Sequence, residues 1–83
     1  MRKYQYVIHG KKFDYVTKIN LNLNYKWERN NLVELIAEDF YNRHKGWQEL
    51  YPTELVLMHK NIKIGTFRIE RRYSAVFSTQ QIE

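Results

Sequence analysis

The side chains that could act as acids, bases or nucleophiles are few and widely spaced. None of the three histidines, His9, His44 and His59, has a partner one helical turn away, the spacing typical of a zinc site on a helix. The serines, Ser74 and Ser78, have no local histidine and acid that could complete a triad. The chain also has no cysteine, which excludes a thiolate nucleophile and a disulfide framework. We therefore predict a protein that is not an enzyme and has no catalytic residue, metal site or cofactor.

The segment KIGTFRIERRY, residues 63–73, carries the densest group of cations that could bind a partner. If it is a strand with Phe67 and Ile69 facing a core, then Arg68, Glu70 and Arg72 face the other way. The candidate binding residues here are Arg68, Arg71, Arg72 and Tyr73. Cations neutralise phosphate and aromatic rings stack on bases, so one interpretation is a nucleic-acid surface. The alternative is a solvated strand face with no partner.

The net charge of +5 is unevenly distributed. The first and last thirds of the chain are basic, whereas residues 28–54 are acidic. On a helix, Glu34 and Glu38 would form an acidic stripe, whereas Lys18 and the arginines of the last strand would make the outer sheet face basic. A molecule with two charged faces could contact a basic partner on one side and an acidic partner on the other.

Hydrophobic periodicity predicts the elements that position these residues. A hairpin turns at His9-Gly10-Lys11-Lys12, and its second strand alternates apolar and polar residues over 13–24. Helical spacing of apolar residues predicts one helix near 28–45. A short strand at 54–59, a turn at Lys60-Asn61 and a last strand follow, with a register shift near Gly65.

Two features suggest where the helix begins and ends. Asn31 with Glu34 resembles a capping box, although Asn24 could cap an earlier start. Gly46 suits the left-handed position that follows many helices. Trp47 then either covers the core beneath the helix end or, if it is partly exposed, provides an interface residue.

We therefore predict a single α+β domain over residues 1–83, a four-stranded antiparallel sheet of order β-β-α-β-β with one helix on one face. The first strand, as a sheet edge, could pair with a second copy to form a homodimer. The N-terminus has no continuous apolar run, so we expect no signal peptide, no membrane contact and a cytoplasmic location.

One part of the last strand resembles a known enzyme family. Residues 63–69, KIGTFRI, are similar to the basic-x-Gly-x-aromatic-Arg-aliphatic strand of toxins that cut messenger RNA on the ribosome. That resemblance implies that cations support attack of a ribose 2′-hydroxyl on its phosphate. The two leading helices of the family are replaced here by predicted strands.

The second half of the chain resembles small uncharacterised proteins encoded by phages and prophages. The resemblance rests on Lys45-Gly46-Trp47, Tyr51-Pro52, the segment from Gly65 to Arg71, and Phe77-Ser78. It implies a non-enzymatic binding protein of the anti-CRISPR class, which inhibits a host defence nucleoprotein in the host cytoplasm by occupying a functional surface. The alternative is an accessory protein that binds nucleic acid through the basic sheet face.

Overall fold

The computed structural model describes residues 2–73 and 76–83 and contains one antiparallel sheet with a single helix on one of its faces. The elements in chain order are β1 (Arg2–Ile8), β2 (Lys11–Thr17), α1 (Lys26–Arg43), a 3-10 turn (Gly46–Gln48), β3 (Thr53–His59), β4 (Ile62–Tyr73) and β5 (Val76–Gln81). The α+β class is confirmed, but the sheet has five strands, in the order β2-β1-β3-β4-β5, and not four. Ser74 lies outside the described residues.

Both predicted hairpin turns are present and have the backbone geometry that a two-residue turn requires. His9 and Gly10 have φ of 51° and 76°, and Lys60 and Asn61 have φ of 53° and 64°. Positive φ at both positions is the signature of the type I′ turn, whose twist matches that of the flanking strands. The predicted register shift near Gly65 is also confirmed, because the β3–β4 pairing shifts between Leu57 and Met58, opposite Gly65 and Lys63.

The second strand is shorter than its alternating pattern predicted. β2 ends at Thr17, whose Oγ1 accepts a hydrogen bond of 3.1 Å from the amide of Ile19. Further along, Asn22 Oδ1 accepts from the amide of Asn24 at 3.0 Å. Such local bonds between side chain and backbone compete with a strand ladder. Residues 18–25 therefore leave the sheet, although Leu21 and Leu23 still pack against the core.

The last strand, β5, was not predicted from the sequence. Its residues Val76–Gln81 lack alternation of apolar and polar side chains, yet they pair with β4 over six positions of the register. The pairing makes β2 and β5 the sheet edges, and β1 lies between β2 and β3. The expectation that the first strand is an edge available for dimerisation is therefore wrong.

The core lies between α1 and one face of the sheet. The helix contributes the buried residues Leu32, Val33, Ile36, Ala37 and Phe40. The sheet contributes Tyr4, Tyr6, Ile8, Leu55, Leu57, Phe67, Ile69 and Phe77. Tyr4 and Tyr6 are fully buried, so the first strand supplies aromatic rings to the core rather than to the surface.

The helix begins earlier than the core-facing pattern predicted. α1 starts at Lys26, and Tyr25 occupies the N-cap position without a side-chain hydrogen bond. Neither Asn24 nor Asn31 caps the helix. Within the described part of the chain, no helix combines the length and the apolar character needed to cross a membrane.

Candidate interaction surface

Several strand ends and the C-terminal end of α1 lie at the same end of the sheet. Because neighbouring strands are antiparallel, the β1–β2 turn, the start of β3, the end of β4 and the start of β5 must lie at one end. The segment 44–52, which links α1 to β3, crosses this end. We call it the connector end.

At the connector end, Arg71 and Trp47 contact the same aromatic ring. The guanidinium carbon of Arg71 lies 5.0 Å from the centre of the Tyr41 ring. The Trp47 ring meets Tyr41 edge-on, with ring centres 6.3 Å apart. Tyr41 is itself held by Phe77 of β5, at 5.9 Å between ring centres. The helix and the fifth strand together therefore position Arg71 and Trp47.

Tyr51 fixes the connector against the same aromatic group. Its hydroxyl donates a hydrogen bond of 2.8 Å to the carbonyl of Gly46, and its ring lies 5.2 Å from that of Phe77. Burial raises the pKa of the Tyr51 phenol to about 12, with the carboxylate of Glu49 adding to the effect. The phenol is therefore a neutral donor at physiological pH. The Tyr51-Pro52 peptide bond that follows is cis.

Gly46 lies at the helix end for a reason that differs from the predicted one. The left-handed residue is Lys45, with φ of 59°, and Gly46 does not have positive φ. A Cβ on Gly46 would lie 2.6 Å from the Tyr41 Cα and 2.8 Å from the Phe40 ring. Glycine is needed here because the connector passes directly against the helix backbone, which in turn places Trp47 beside Tyr41.

Several large apolar side chains remain exposed at the connector end. Trp47 is 49% exposed, Leu50 88%, Tyr73 72% and Val76 46%. We define these four residues together with Arg71 as the connector-end patch. Regular alternation would place Tyr73 on the same side of β4 as Phe67 and Ile69, but a register shift between Arg71 and Tyr73 interrupts the alternation near the end of the strand. Its ring is consequently open to solvent.

A second exposed aromatic pair lies at the opposite end of α1. Tyr25 and Trp27 are 55% and 61% exposed, and their rings stack with centres 6.3 Å apart. This pair has the same residue types as Tyr73 and Trp47 but lies where the helix begins. It therefore offers a matched comparison for the connector-end patch.

The sheet face opposite α1, which we call the open face, has mixed charge and is not uniformly basic. Arg68 Nε lies 3.7 Å from a carboxylate oxygen of Glu70, and Lys3 Nζ lies 3.7 Å from Asp14. Lys63, the first cation of the toxin-like segment, lies 2.8 Å from Glu83. Neighbouring carboxylates thus offset much of the positive charge predicted for this face.

The other predicted basic residues are divided among three places. Lys18 is exposed in the loop after β2, at the opposite edge of the sheet from β4 and β5. Arg71 contacts Tyr41 of the helix. Arg72 is exposed near the end of β4, in a shallow groove that it shares with Arg68 and Glu70. The structure therefore brings Arg68 and Arg72 together but separates Lys18 from both.

The acidic stripe predicted on α1 is divided among different surroundings. Glu34 lies beside β5, where burial raises the pKa of its carboxyl and a hydrogen bond from Thr79 opposes that effect. Asp39 forms an ion pair of 3.1 Å with Arg43. Glu38 is exposed. Glu34 and Glu38, four residues apart on α1, thus differ in exposure, and an acidic contact surface formed by the two stays a prediction.

The sequence identified Trp47, Arg71 and Tyr73 as candidates but did not identify Tyr41, which contacts Trp47 and Arg71. Tyr41 was part of the helical segment, and its role depends on β5, which the pattern did not reveal. The sequence signal that was available is the clustering of Trp47, Leu50 and Tyr51 in a nine-residue connector after a helix end, since such residues in a loop are unusual unless they pack or bind.

The comparisons with known proteins provide no relative for this chain. No protein family, curated protein or solved structure matches it.

Proposed function

We propose that this protein is a non-enzymatic binding protein and that the connector-end patch is its contact surface. The observation that carries the proposal is the arrangement of Trp47, Arg71 and Tyr73, three exposed or half-exposed residues held at one end of the fold. Trp, Tyr and Arg are the residue types that dominate binding energy at protein interfaces. The rigid support beneath Trp47 lowers the entropic cost of binding, since its position is set before the partner arrives.

The charge around the patch indicates the class of partner. Arg71, Arg72 and Lys45 lie at or beside this end, and Glu49, the nearest acidic residue of the connector, lies 3.2 Å from His9 Nε2. A positive patch complements an acidic protein surface or a nucleoprotein. We propose that the partner is a host nucleoprotein complex in the cytoplasm and that binding blocks one of its working surfaces, which is the mode of action that the resemblance to phage-encoded inhibitors implies.

Direct binding of nucleic acid is the second candidate function. It is supported by the combination of exposed aromatic rings and arginines at the connector end, because single strands are bound by stacking on rings together with cation contacts to phosphate. The charge pairing of Arg68 with Glu70 makes the open face less suited to this role than the connector end. Affinity for free RNA or DNA would then fall steeply with salt, and Arg71→Ala would reduce the slope.

An affinity pull-down from bacterial lysate, with and without nuclease, tests the first candidate against the second. Three tagged proteins are compared: the wild type, the double variant Trp47→Ala/Tyr73→Ala, and the matched double variant Trp27→Ala/Tyr25→Ala. We expect a stoichiometric protein partner that survives nuclease, is lost with the first variant and is retained with the second.

Other outcomes lead to different conclusions. Recovery of nuclease-sensitive material alone would favour direct nucleic-acid binding. Equal recovery with both double variants would show that the connector-end patch is not the contact surface. Circular dichroism of each variant confirms that any loss of binding is not a loss of folding.

A further inference from the structure

A cleft also lies at the connector end, on the side of the β1–β2 turn. It is a cleft of about 490 Å³ between the β1–β2 turn and the end of α1. Its floor is apolar, formed by Ile8, Phe13 and Phe40. Its rim is formed by His9, Lys11, His44, Lys45, Gln48 and Glu49. The connector-end patch and this cleft share none of these side chains.

The two histidines of the rim are held in place from different elements. His9 Nε2 lies 3.1 Å from Thr53 Oγ1 and 3.2 Å from a carboxylate oxygen of Glu49. The ring of His44 lies 4.6 Å from that of Phe13, and its Nε2 lies 4.0 Å from Asp39. Hydrogen-bonding groups are therefore fixed on both sides of the cleft rather than free in solvent.

Two rim residues have backbone conformations that non-glycine residues rarely adopt. His9 has φ of 51° and Lys45 has φ of 59°. Local chain geometry accounts for both, since His9 begins the two-residue β1–β2 turn and Lys45 follows the end of α1. The turn and the helix end together bring an imidazole and an ammonium group to the same cleft.

We propose that the cleft binds a phosphate group. Lys11 and Lys45 supply two point charges, and the imidazole of His44 supplies a donor to phosphate oxygens. The Nε2 of His9 is already engaged by Thr53 and Glu49, and the carboxylate of Glu49 opposes anion binding. The C-terminal end of α1 also opposes an anion, because its carbonyls carry partial negative charge and the amide of His44 uses only that of Phe40, at 3.0 Å; the two lysines must outweigh this effect.

The full chain is titrated with inorganic phosphate at constant ionic strength, and the chemical shifts of the backbone amides are monitored by NMR. We expect saturable shifts at His9, Lys11 and Lys45. Lys11→Gln and Lys45→Gln should each weaken binding about two- to fivefold, the usual worth of one exposed charge contact. Glu49→Gln should strengthen binding, because it removes the one carboxylate on the rim.

Lys60→Gln is the matched control. Lys60 is also an exposed left-handed lysine in a turn, but it lies at the other end of the sheet. Its replacement should leave the affinity for phosphate unchanged. The proposal is overturned if phosphate causes no saturable shift at the rim, if Lys60→Gln weakens binding as much as Lys45→Gln, or if Glu49→Gln weakens it. The Trp47→Ala/Tyr73→Ala variant should bind phosphate normally, so failure of this proposal and failure of the proposed function are distinguishable.

Discussion

The guanidinium of Arg71 lies 5.0 Å from the centre of the Tyr41 ring, which joins the fourth strand of the sheet to the C-terminal half of the helix. Tyr41 also contacts Trp47, so one partly buried ring orients both an arginine and a tryptophan that face solvent. An arginine over an aromatic ring at an exposed site stabilises by about 0.5–1 kcal/mol. This contact links the stability of the domain to the geometry of its proposed contact surface.

Replacing Arg71 should therefore affect both stability and binding. Arg71→Ala is expected to lower the free energy of unfolding by about 0.5–1 kcal/mol through loss of the ring contact. Arg72→Ala, in an exposed position of the same strand, should change it by less than about 0.5 kcal/mol. Urea denaturation measures both. Equal losses in the two variants would mean that the contact with Tyr41 contributes nothing specific.

Two variants at the helix end separate two properties of glycine, its lack of a Cβ and its freedom to adopt positive φ. Gly46→Ala should destabilise the domain by about 1–3 kcal/mol, since the added Cβ would meet the Tyr41 backbone and force it to move. Lys45→Gly should not destabilise it, because glycine adopts the left-handed conformation of that position without strain. Thermal unfolding of the two variants and the wild type measures both changes in stability. The opposite pattern, with Lys45→Gly the more damaging, would contradict this account of the connector.

The C-terminal strand shows how far the sequence could predict the fold. Turns beginning at His9 and at Lys60 and the shift near Gly65 could be predicted, because each depends on local backbone geometry; the type I′ conformation of both turns is a finding of the structure. The strand containing Phe77 could not, since its residues do not alternate and its pairing with β4 is a tertiary interaction. Conversely, the alternation after Thr17 resembled a strand, but local hydrogen bonds took those residues out of the sheet.

The candidate site could likewise be predicted only where it depends on local sequence. Trp47, Arg71 and Tyr73 could be singled out by residue type and position. Their common support, Tyr41, could not, because it depends on the packing of α1 against β5. The surroundings of Glu34 were equally hidden, since only the fold places Thr79 beside it.

Phe77 should consequently be a major contributor to stability. It is 7% exposed, whereas its neighbour Val76 is 46% exposed. Phe77→Ala should lower the free energy of unfolding by about 3–5 kcal/mol, as for other buried aromatic residues. Val76→Ala should cost less than about 1 kcal/mol, since surface changes are usually small. If both variants unfolded at the same urea concentration as the wild type, residues 76–81 would not be an integral strand.

Alkaline pH should destabilise the protein through buried tyrosines. Burial raises the pKa of Tyr51 to about 12, and burial together with the charge of Asp39 raises the pKa of Tyr6. In the unfolded chain these phenols have the ordinary value near 10. The unfolded state therefore loses its protons first, so this contribution to stability is present below about pH 10 and is lost as the pH rises from there.

Tyr6→Phe tests this linkage directly. The Tyr6 hydroxyl is buried and has no hydrogen-bond partner among the described residues, so its removal should be neutral or stabilising at pH 7. Between pH 10 and 12, the free energy of unfolding of Tyr6→Phe should fall less steeply than that of the wild type. Tyr25→Phe, at an exposed position, should follow the wild type. Identical slopes for all three proteins would remove Tyr6 as a source of the alkaline sensitivity.

The most direct test of the central claim is site-specific photo-crosslinking in cells. A photoreactive phenylalanine analogue replaces Trp47 in one protein and Trp27 in another; the two tryptophans are comparably exposed and lie near opposite ends of α1. We expect a discrete crosslink to one host protein from position 47 and none from position 27. Crosslinking to that protein from position 27 alone, or with equal yield from both positions, would contradict a contact surface at the connector end.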